Sequence, residues 1–350
     1  MTEVSTIGLD LAKRVFQVHG VDAAGRVTVR RALRRGQVLS WFARLPPCLV
    51  GMEACATAHH WARELRQLGH EVKLIPPAYA KAYVRRNKLV LRPASGTGGN
   101  DAADAAAICE AVSRPSMRFV EIKTAAQQAA AGLHKVRELL IKQRTMLINA
   151  RRGHMAEFGI VVAEGPQHVG ALLTILADPD DERVPAALRD GLGCLVEALS
   201  TVERQVEGID KQIVAWGRES ATSRHLITIP GYGPILSSAM AAMVVDPTAF
   251  RSGRDFAASL GLVPRQDGTG GKVRLGPISK RGNGYLRRLL VNGAMAVLSS
   301  QRARQDPWLT KLLATKPRKL VAVALANKLA RIGWAVMRRQ EDFRVRPAAA

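Results

Sequence analysis

"STIGLDLA", Ser5–Ala12, is a short apolar segment with a single acidic residue, Asp10, and it predicts the first strand of a sheet. The segments "RVFQVHGV" and "GRVTVRRAL" follow it around a turn at Asp22–Gly25, and both have the composition of strands. We therefore expect three consecutive strands at the start of the chain.

The next segments extend this sheet and cover it. "CLVGME" predicts a buried strand, Ala56–Leu68 an amphipathic helix, and "EVKLIPP" a strand that two prolines end. A further helix is predicted over Asp101–Val112, with Asn100 as its N-cap. Three strands followed by strand, helix and strand indicate a mixed α/β sheet with helical cover.

From Thr124 onward the pattern is helical. Its clearest part is a seam of apolar residues at alternating steps of four and three, which is a heptad pattern. The seam comprises Leu188, Leu192, Leu195, Leu199, Val202, Val206, Ile209, Ile213 and Trp216. Such helices pair either as an antiparallel hairpin within one chain or as a subunit interface, and the sequence leaves both open. The fold class is thus an α/β front, long coiled-coil helices and a mostly α-helical back.

The charge balance favours a polyanionic partner. Lys and Arg number 52 against 29 acidic residues, a net charge of +23 with a pI near 10.8. Such an excess attracts nucleic acid. The four cysteines are scattered, without the spacing of a zinc site or a disulfide framework. No signal peptide and no membrane-spanning stretch is predicted, so we expect a cytoplasmic protein that does not bind membranes.

Four acidic residues in the front part stand where strands or helices would present them: Asp10, Glu53, Asp101 and Asp104. A carboxylate inside an apolar strand is costly unless it is paired or binds a cation. One or two Mg²⁺ ions would suit such oxygen ligands and serve phosphoryl transfer. Alternatively, Asp101 merely complements a helix dipole, and Glu53 caps a helix or pairs with an arginine.

A glycine-rich basic stretch, "DGTGGKVRLGPISKRGN", spans Asp267–Asn283. It lacks the spacing of a phosphate-binding P-loop and of a dinucleotide fingerprint, which argues against a nucleotide pocket. Basic side chains that neutralise DNA phosphates are the better interpretation, against the alternative of a solvated basic loop. The candidate nucleic-acid-binding residues are Arg265, Lys272, Arg274, Lys280, Arg281, Asn283, Arg287 and Arg288.

Long, ordered motifs resemble one family over almost the whole chain. "GLDLAKRVFQVHGVDAAGRV", "NDAADAAAICEAVSRPSMRFV" and "RTMLINARRGHMAEFGIV" are similar to the DEDD transposases of bacterial insertion sequences, relatives of the Piv/MooV DNA invertases. "TIPGYGPILSSAM" and "LGPISKRGNGYLRRLLVNGAMAVL" resemble the second, serine-bearing domain of that family. The resemblance implies a ribonuclease H-like domain over 1–123 and a helical coiled-coil linker or oligomerisation region over 124–220. It further implies a C-terminal transposase domain over 221–342, with a helical hairpin and a basic Gly-rich loop, and a tail at 343–350.

The resemblance also implies roles for particular residues. The family's acidic tetrad falls on Asp10, Glu53, Asp101 and Asp104, which would bind Mg²⁺. Its serine nucleophile corresponds to Thr269, whose hydroxyl would attack DNA, with Ser279 as the fallback. The partners would be DNA, a structured non-coding guide RNA and further copies in a dimer or tetramer. The segment "LVLRPASGTGG", Leu89–Gly99, departs from the family as an insertion before the Asp pair.

Two rival functions stay open from the sequence. One is a metal-dependent nuclease or junction resolvase that forms no covalent bond to DNA. The other is an inactive remnant that still binds nucleic acid. A DNA transposase or recombinase is the leading prediction.

Overall fold

The computed structural model of the chain describes residues 3–77, 79–80, 83, 100–163, 168–178, 180–269 and 272–344. The chain forms two compact units, Met1–Gln128 and Ala129–Ala350. The predicted insertion Leu89–Gly99 lies outside the described residues. The same holds for the side chains of Asn100, Thr269 and Lys272.

The first unit is built on a five-stranded mixed sheet. Its strands are β1 (Thr6–Asp10), β2 (Val15–Val21), β3 (Val27–Arg34), β4 (Leu49–Glu53) and β5 (Glu71–Ile75). They lie in the order β3-β2-β1-β4-β5, with β1, β2 and β3 antiparallel to one another and β1, β4 and β5 parallel. All five predicted strands and the mixed sheet are confirmed.

Helices cover this sheet. They are α1 (Val38–Phe42), α2 (Ala58–Gln67) and α3 (Asn100–Val112). α2 is amphipathic as predicted and buries Trp61 and Leu65 against the sheet core, because apolar residues four apart lie on one helical face. α3 begins at Asn100, one residue before the predicted start.

The second unit is mainly helical. Its helices are α4 (Ala125–Ala156, which begins in the first unit), α5 (Val169–Ala177), α6 (Ala186–Glu219), α7 (Ala221–Leu226), α8 (Pro234–Met243), α9 (Gly253–Ser259), α10 (Gly284–Ser299), α11 (Gln301–Gln305), α12 (Pro307–Thr315) and α13 (Arg318–Arg339). Pro234 and Pro307 stand in the first turns of α8 and α12, where a missing N–H costs nothing.

The long helices α4 and α6 pair within one chain. Arg137 of α4 forms a bidentate ion pair with Asp210 near the end of α6. At the other end, Met155 of α4 packs in one cluster with Leu192 near the start of α6. The two helices therefore run antiparallel to each other within the chain.

The predicted apolar seam is only partly buried. Its residues at every seventh position, Leu192, Leu199, Val206 and Ile213, are buried, whereas the intervening ones are half-buried. One edge of the seam is thus covered inside the chain, while the other is only half-buried.

The core of the second unit is centred on α13. One face of α13 is buried among α8, α9 and α10, through residues such as Leu325 and Leu329. Within the described residues α13 is long and apolar enough to cross a membrane by length and composition, with a mean hydropathy of 1.5, although no such stretch was expected. Half of that segment is buried inside the unit, as in a core helix.

The glycine-rich stretch is not a loop, and that prediction is wrong. It forms an antiparallel hairpin of β6 (Pro264–Thr269) and β7 (Lys272–Ile278). Thr269 pairs with Lys272, so only Gly270 and Gly271 connect the strands. Pairing between the two strands outweighs the low strand preference of glycine.

Candidate active site

Asp10 and Glu53 lie next to each other at one edge of the sheet. Each is the last residue of its strand, β1 and β4, and the two strands are parallel neighbours in which Leu9 pairs with Met52. The carboxyl ends of parallel strands meet at the same sheet edge. Two acids that are 43 residues apart in the chain are thereby neighbours in space.

Two glycines fix which face these acids take. Gly8 and Gly51 stand two residues before Asp10 and Glu53, and residues two apart in a strand share a face. A Cβ at Gly8 would lie 2.0 Å from the carbonyl oxygen of Ala105 in α3, and one at Gly51 would lie 2.7 Å from Cβ of Val112. Both acids are therefore on the face where α3 packs. This role of the two glycines was not predicted, although the repeated Gly-x-acid pattern of "GLD" and "GME" signals it.

α3 brings the second pair of acids to the same place. Its residue Cys109 contacts the carbonyl of Thr6, and Ala105 lies over Gly8, so α3 runs antiparallel to β1. Asp104 precedes Ala105 by one residue and Asp101 precedes it by about one turn, so both lie toward the end of β1 where Asp10 stands. Asp104 and Asp10 are half-buried, whereas Asp101 is exposed.

The negative charges of the other three acids act on Asp10. Burial raises its pKa most, and the charges of Asp104, Asp101 and Glu53 raise it further, from 3.8 to about 6. The backbone N–H of Leu11 lowers it in part. The negative charges of the other three carboxylates thus all favour the protonated form of Asp10.

The donor chemistry of this acidic cluster, Asp10, Glu53, Asp101 and Asp104, fits a hard divalent cation, because such ions prefer carboxylate oxygens. As they stand, the side chains are not a finished ligand set. Among the described residues no three His, Cys, Asp or Glu side chains are close enough together to hold a metal ion. A cation would have to draw the carboxylates together, and it would relieve the repulsion that raises the pKa of Asp10.

The second unit holds a rigid basic segment after the hairpin. Gly261 and Gly282 both have positive φ, and the backbone of 259–262 packs directly on that of 280–282. Lys280 adopts a left-handed conformation, with φ of 53°, which is uncommon for a residue other than glycine, and its N–H donates to the carbonyl of Gly261. The exposed side chains of Lys280 and Arg281 therefore extend from backbone that is packed against residues 259–262.

The eight predicted nucleic-acid-binding residues differ in their surroundings. The side chains of Arg265, Arg274, Lys280 and Arg281 are exposed on or just after the hairpin. Three others have structural contacts. Asn283 caps α10 by accepting from Tyr285 N and Leu286 N, Arg287 donates to the carbonyls of Leu260 and Arg281, and Arg288 pairs with Glu138 at 2.7 Å. Lys272, the eighth, stands at the start of β7.

The candidate nucleophile lies at the tip of the hairpin. Thr269 is the last residue of β6, immediately before the glycine pair. The fallback hydroxyl, Ser279, is half-buried just after β7, and its N–H donates to the carbonyl of Val263 at 2.8 Å. The backbone therefore places Thr269 at the end of the hairpin and Ser279 at its base.

An acidic cluster on a mixed sheet and a basic hairpin on a helical unit are features of enzymes that act on nucleic acids. Known proteins identify the class. Residues 7–160 match a family model described as "Transposase", of the DEDD and IS110 type, and residues 223–308 match the model of the "Transposase IS116/IS110/IS902 family".

Full-length relatives agree. The chain is 49% identical to the "Probable family 20 transposase" of Pseudomonas aeruginosa, over 97% of this chain and 99% of the relative. It is 41% identical to the transposase for insertion sequence element IS1328 of Yersinia enterocolitica, over 96% and 97%. It is 37% identical to that for IS1111A of Coxiella burnetii, over 98% and 92%. The chain belongs to the IS116/IS110/IS902 family of transposases, enzymes that recombine DNA.

Proposed function

We propose that this transposase cuts and rejoins the DNA of an insertion sequence with the acidic cluster of its first unit and a hydroxyl of its second. The observation that carries the proposal is that Asp10 and Glu53 end adjacent parallel strands on the face against which α3, the helix that bears Asp101 and Asp104, is packed. Carboxylates gathered in this way are otherwise a cost to the fold. Catalysis offers a reason for a protein to retain them.

The acidic cluster would bind one or two Mg²⁺ ions through Asp10, Glu53, Asp101 and Asp104. A bound divalent ion supplies charge neutralisation and activates an attacking oxygen in phosphoryl transfer. The sheet order β3-β2-β1-β4-β5, with an acid at the end of β1, supports a ribonuclease H-like assignment for this unit. The boundaries 1–123, 124–220 and 221–342 remain our proposed domains, with α4 and α6 as the coiled coil.

Thr269 would be the covalent nucleophile. Its hydroxyl oxygen forms a bond to a DNA phosphorus, the bond from phosphorus to a DNA oxygen breaks, and the threonine proton passes to that leaving oxygen. Attack by a DNA hydroxyl on the threonine phosphoester then restores both the phosphodiester and the threonine. A methyl group on Cβ distinguishes Thr269 from a serine nucleophile and restricts χ1, which supports a slow reaction.

The remaining parts of the proposal concern partners. DNA would contact the exposed basic residues Arg265, Arg274, Lys280 and Arg281, together with Lys272, and the net charge of +23 supports this. A structured non-coding RNA of the element would direct the enzyme. The partly exposed seam of α6 would join copies into a dimer or tetramer in the cytoplasm.

Trapping of a protein–DNA adduct tests the nucleophile. The full chain is incubated with element-end DNA and Mg²⁺, and adducts are resolved by denaturing electrophoresis. We expect an adduct with wild type, more with Thr269→Ser and none with Thr269→Ala, while Ser279→Ala still forms it. If Thr269→Ala forms the adduct and Ser279→Ala does not, Ser279 is the nucleophile. Cleavage without any adduct, in Thr269→Ser as well, would show a nuclease.

A further inference from the structure

A large groove in the second unit has none of the predicted nucleic-acid-binding residues in its described lining. It has a volume of about 1180 Å³ and runs between the start of α9, the base of the β6–β7 hairpin, the start of α12 and one face of α13. Pockets for small ligands have volumes of about 300–1,000 Å³. This groove is therefore large enough for an extended ligand.

The floor of the groove is the face of α13 that the core does not use. Leu320, Ala324, Lys328, Arg331 and Ala335 line it, and their spacing of three and four residues places them on one helical side. Leu320 is 55% exposed, although the opposite side of α13 is buried. An apolar helix thus presents a mixed apolar and basic strip to the groove.

Two tryptophans stand in the walls. Trp308 is 37% exposed at the start of α12, and Lys328 Nζ lies 4.4 Å from its ring centroid. Trp334 is held in place because its Nε1 donates to the carbonyl of Pro247 at 2.8 Å. Exposed tryptophan beside a lysine is an arrangement that stacks on a flat ring and neutralises a nearby phosphate.

The charges of the groove all have one sign. Arg254, Lys328 and Arg331 line it, and among its described lining residues there is no Asp or Glu. Asp306, which caps α12, lies 3.9 Å from Lys328 but outside that lining. Arg254 and Arg331 are exposed. This charge suits a polyanion and argues against an apolar segment of protein as the occupant.

We propose that this groove binds a single-stranded segment of DNA, with an unpaired base stacked on Trp308 and phosphates contacted by Arg254, Lys328 and Arg331. The proposal rests on the membership of the chain in a family of DNA-recombining enzymes, and requires neither the acidic cluster nor Thr269. Single-strand sites combine a basic groove with aromatic platforms, whereas the paired bases of a duplex leave no ring face free to stack on a side chain. DNA strands are unpaired while they are exchanged in recombination, so the reaction itself would provide a single-stranded ligand for the groove.

Tryptophan fluorescence of the full chain during titration with oligo(dT) tests the proposal. The titration is run in EDTA, so that failure of the acidic cluster cannot affect it. We expect quenching on binding, loss of the Trp308 part of it in Trp308→Ala, and at least about fivefold weaker binding, as for one lost stacked base. Trp308→Phe, which keeps an aromatic ring, should retain most of the affinity. It also controls for damage to the fold.

Two matched double variants test how much the positive charges of the groove contribute to oligo(dT) binding. Arg254→Gln/Arg331→Gln removes two cations of the groove, and Lys319→Gln/Arg339→Gln removes two exposed cations of α13 outside its lining. The first pair should weaken oligo(dT) binding several-fold more than the second. Equal losses, or full affinity in a folded Trp308→Ala, would overturn the proposal. So would Trp308-dependent binding that is tighter for duplex DNA or oligo(U), or a Trp308-dependent dimer that excludes oligo(dT).

Discussion

Asp10 and Glu53 end adjacent parallel strands, and their charges act on each other at one edge of the sheet. Glycine two residues before each acid allows α3 to lie on the same face and to bring Asp101 and Asp104 there. The acidic cluster is thus a product of strand order and close helix packing.

The pKa of Asp10 predicts a pH-dependent effect of its substitution. Because the pKa is raised from 3.8 to about 6, the folded protein holds this proton more tightly than the unfolded chain does. Stability is lost as pH rises through that range. Asp10→Asn should therefore raise the melting temperature by a few degrees near pH 8 and change it little near pH 4, roughly 2–8 °C for each kcal/mol. An equal effect at both pH values would contradict the raised pKa.

Magnesium should stabilise the first unit through the acidic cluster. A ligand at about 100 times its Kd adds about 2.7 kcal/mol to the free energy of unfolding. We expect excess MgCl₂ to raise the melting temperature above pH 6, with a smaller shift once Asp10 is protonated. Asp10→Asn and Asp104→Asn should lose the shift. Glu71→Gln, which removes one exposed acid of the same unit, should keep it, and a shift that survives in Asp10→Asn would place the ion elsewhere.

Gly8→Ala should separate α3 from β1. The added Cβ would lie 2.0 Å from the Ala105 carbonyl oxygen and 2.4 Å from the Cys109 nitrogen, so the backbone of α3 must move. We expect a loss of about 1–3 kcal/mol in urea unfolding, and impaired recombination. Gly36→Ala is the matched control, because a Cβ there meets nothing within 4 Å. Equal unfolding midpoints for the two variants would show that α3 is not packed on Gly8.

Arg281 and Arg287 should differ in what their loss changes. Arg281 is exposed, so Arg281→Gln should weaken DNA binding and reduce the slope of log affinity against log salt by about one, with no change in melting temperature. Arg287 donates to two backbone carbonyls, so Arg287→Gln should cost about 1 kcal/mol of stability for each lost hydrogen bond. Fluorescence anisotropy at several salt concentrations measures the slopes. A wild-type slope in Arg281→Gln would remove it from the interface.

Much of the first unit could be predicted because its signals are local. Each strand of the sheet is a short apolar or alternating segment bounded by turn residues, as in "STIGLDLA" and "EVKLIPP". An acid inside such a segment is conspicuous, which is why Asp10 and Glu53 could be identified without a structure. The proximity of α3 to β1 depends on the absence of a side chain at Gly8, a tertiary effect that strand patterns do not reveal.

The second unit was harder to predict, because its decisive contacts are between residues distant in the sequence. The β6–β7 hairpin was taken for a loop, since four glycines weigh against strands in isolation and pairing between the strands outweighs them. His134 of α4 is fully buried and contacts Tyr285 Oη and Ser238 Oγ, at 2.9 and 3.0 Å. Nothing in the sequence around His134 identifies partners more than 100 residues away.

Plasmid excision by the full chain acting on its own element tests the central claim most directly. The variants are Asp10→Asn, Glu53→Gln, Asp101→Asn and Asp104→Asn, with Glu71→Gln as the control for loss of one charge. We predict that each variant of the acidic cluster lowers the excision frequency by roughly a hundredfold or more, although it stays folded and binds DNA. The control should excise at the wild-type frequency. Wild-type excision by a folded Asp10→Asn or Asp101→Asn would contradict a catalytic role for the acidic cluster.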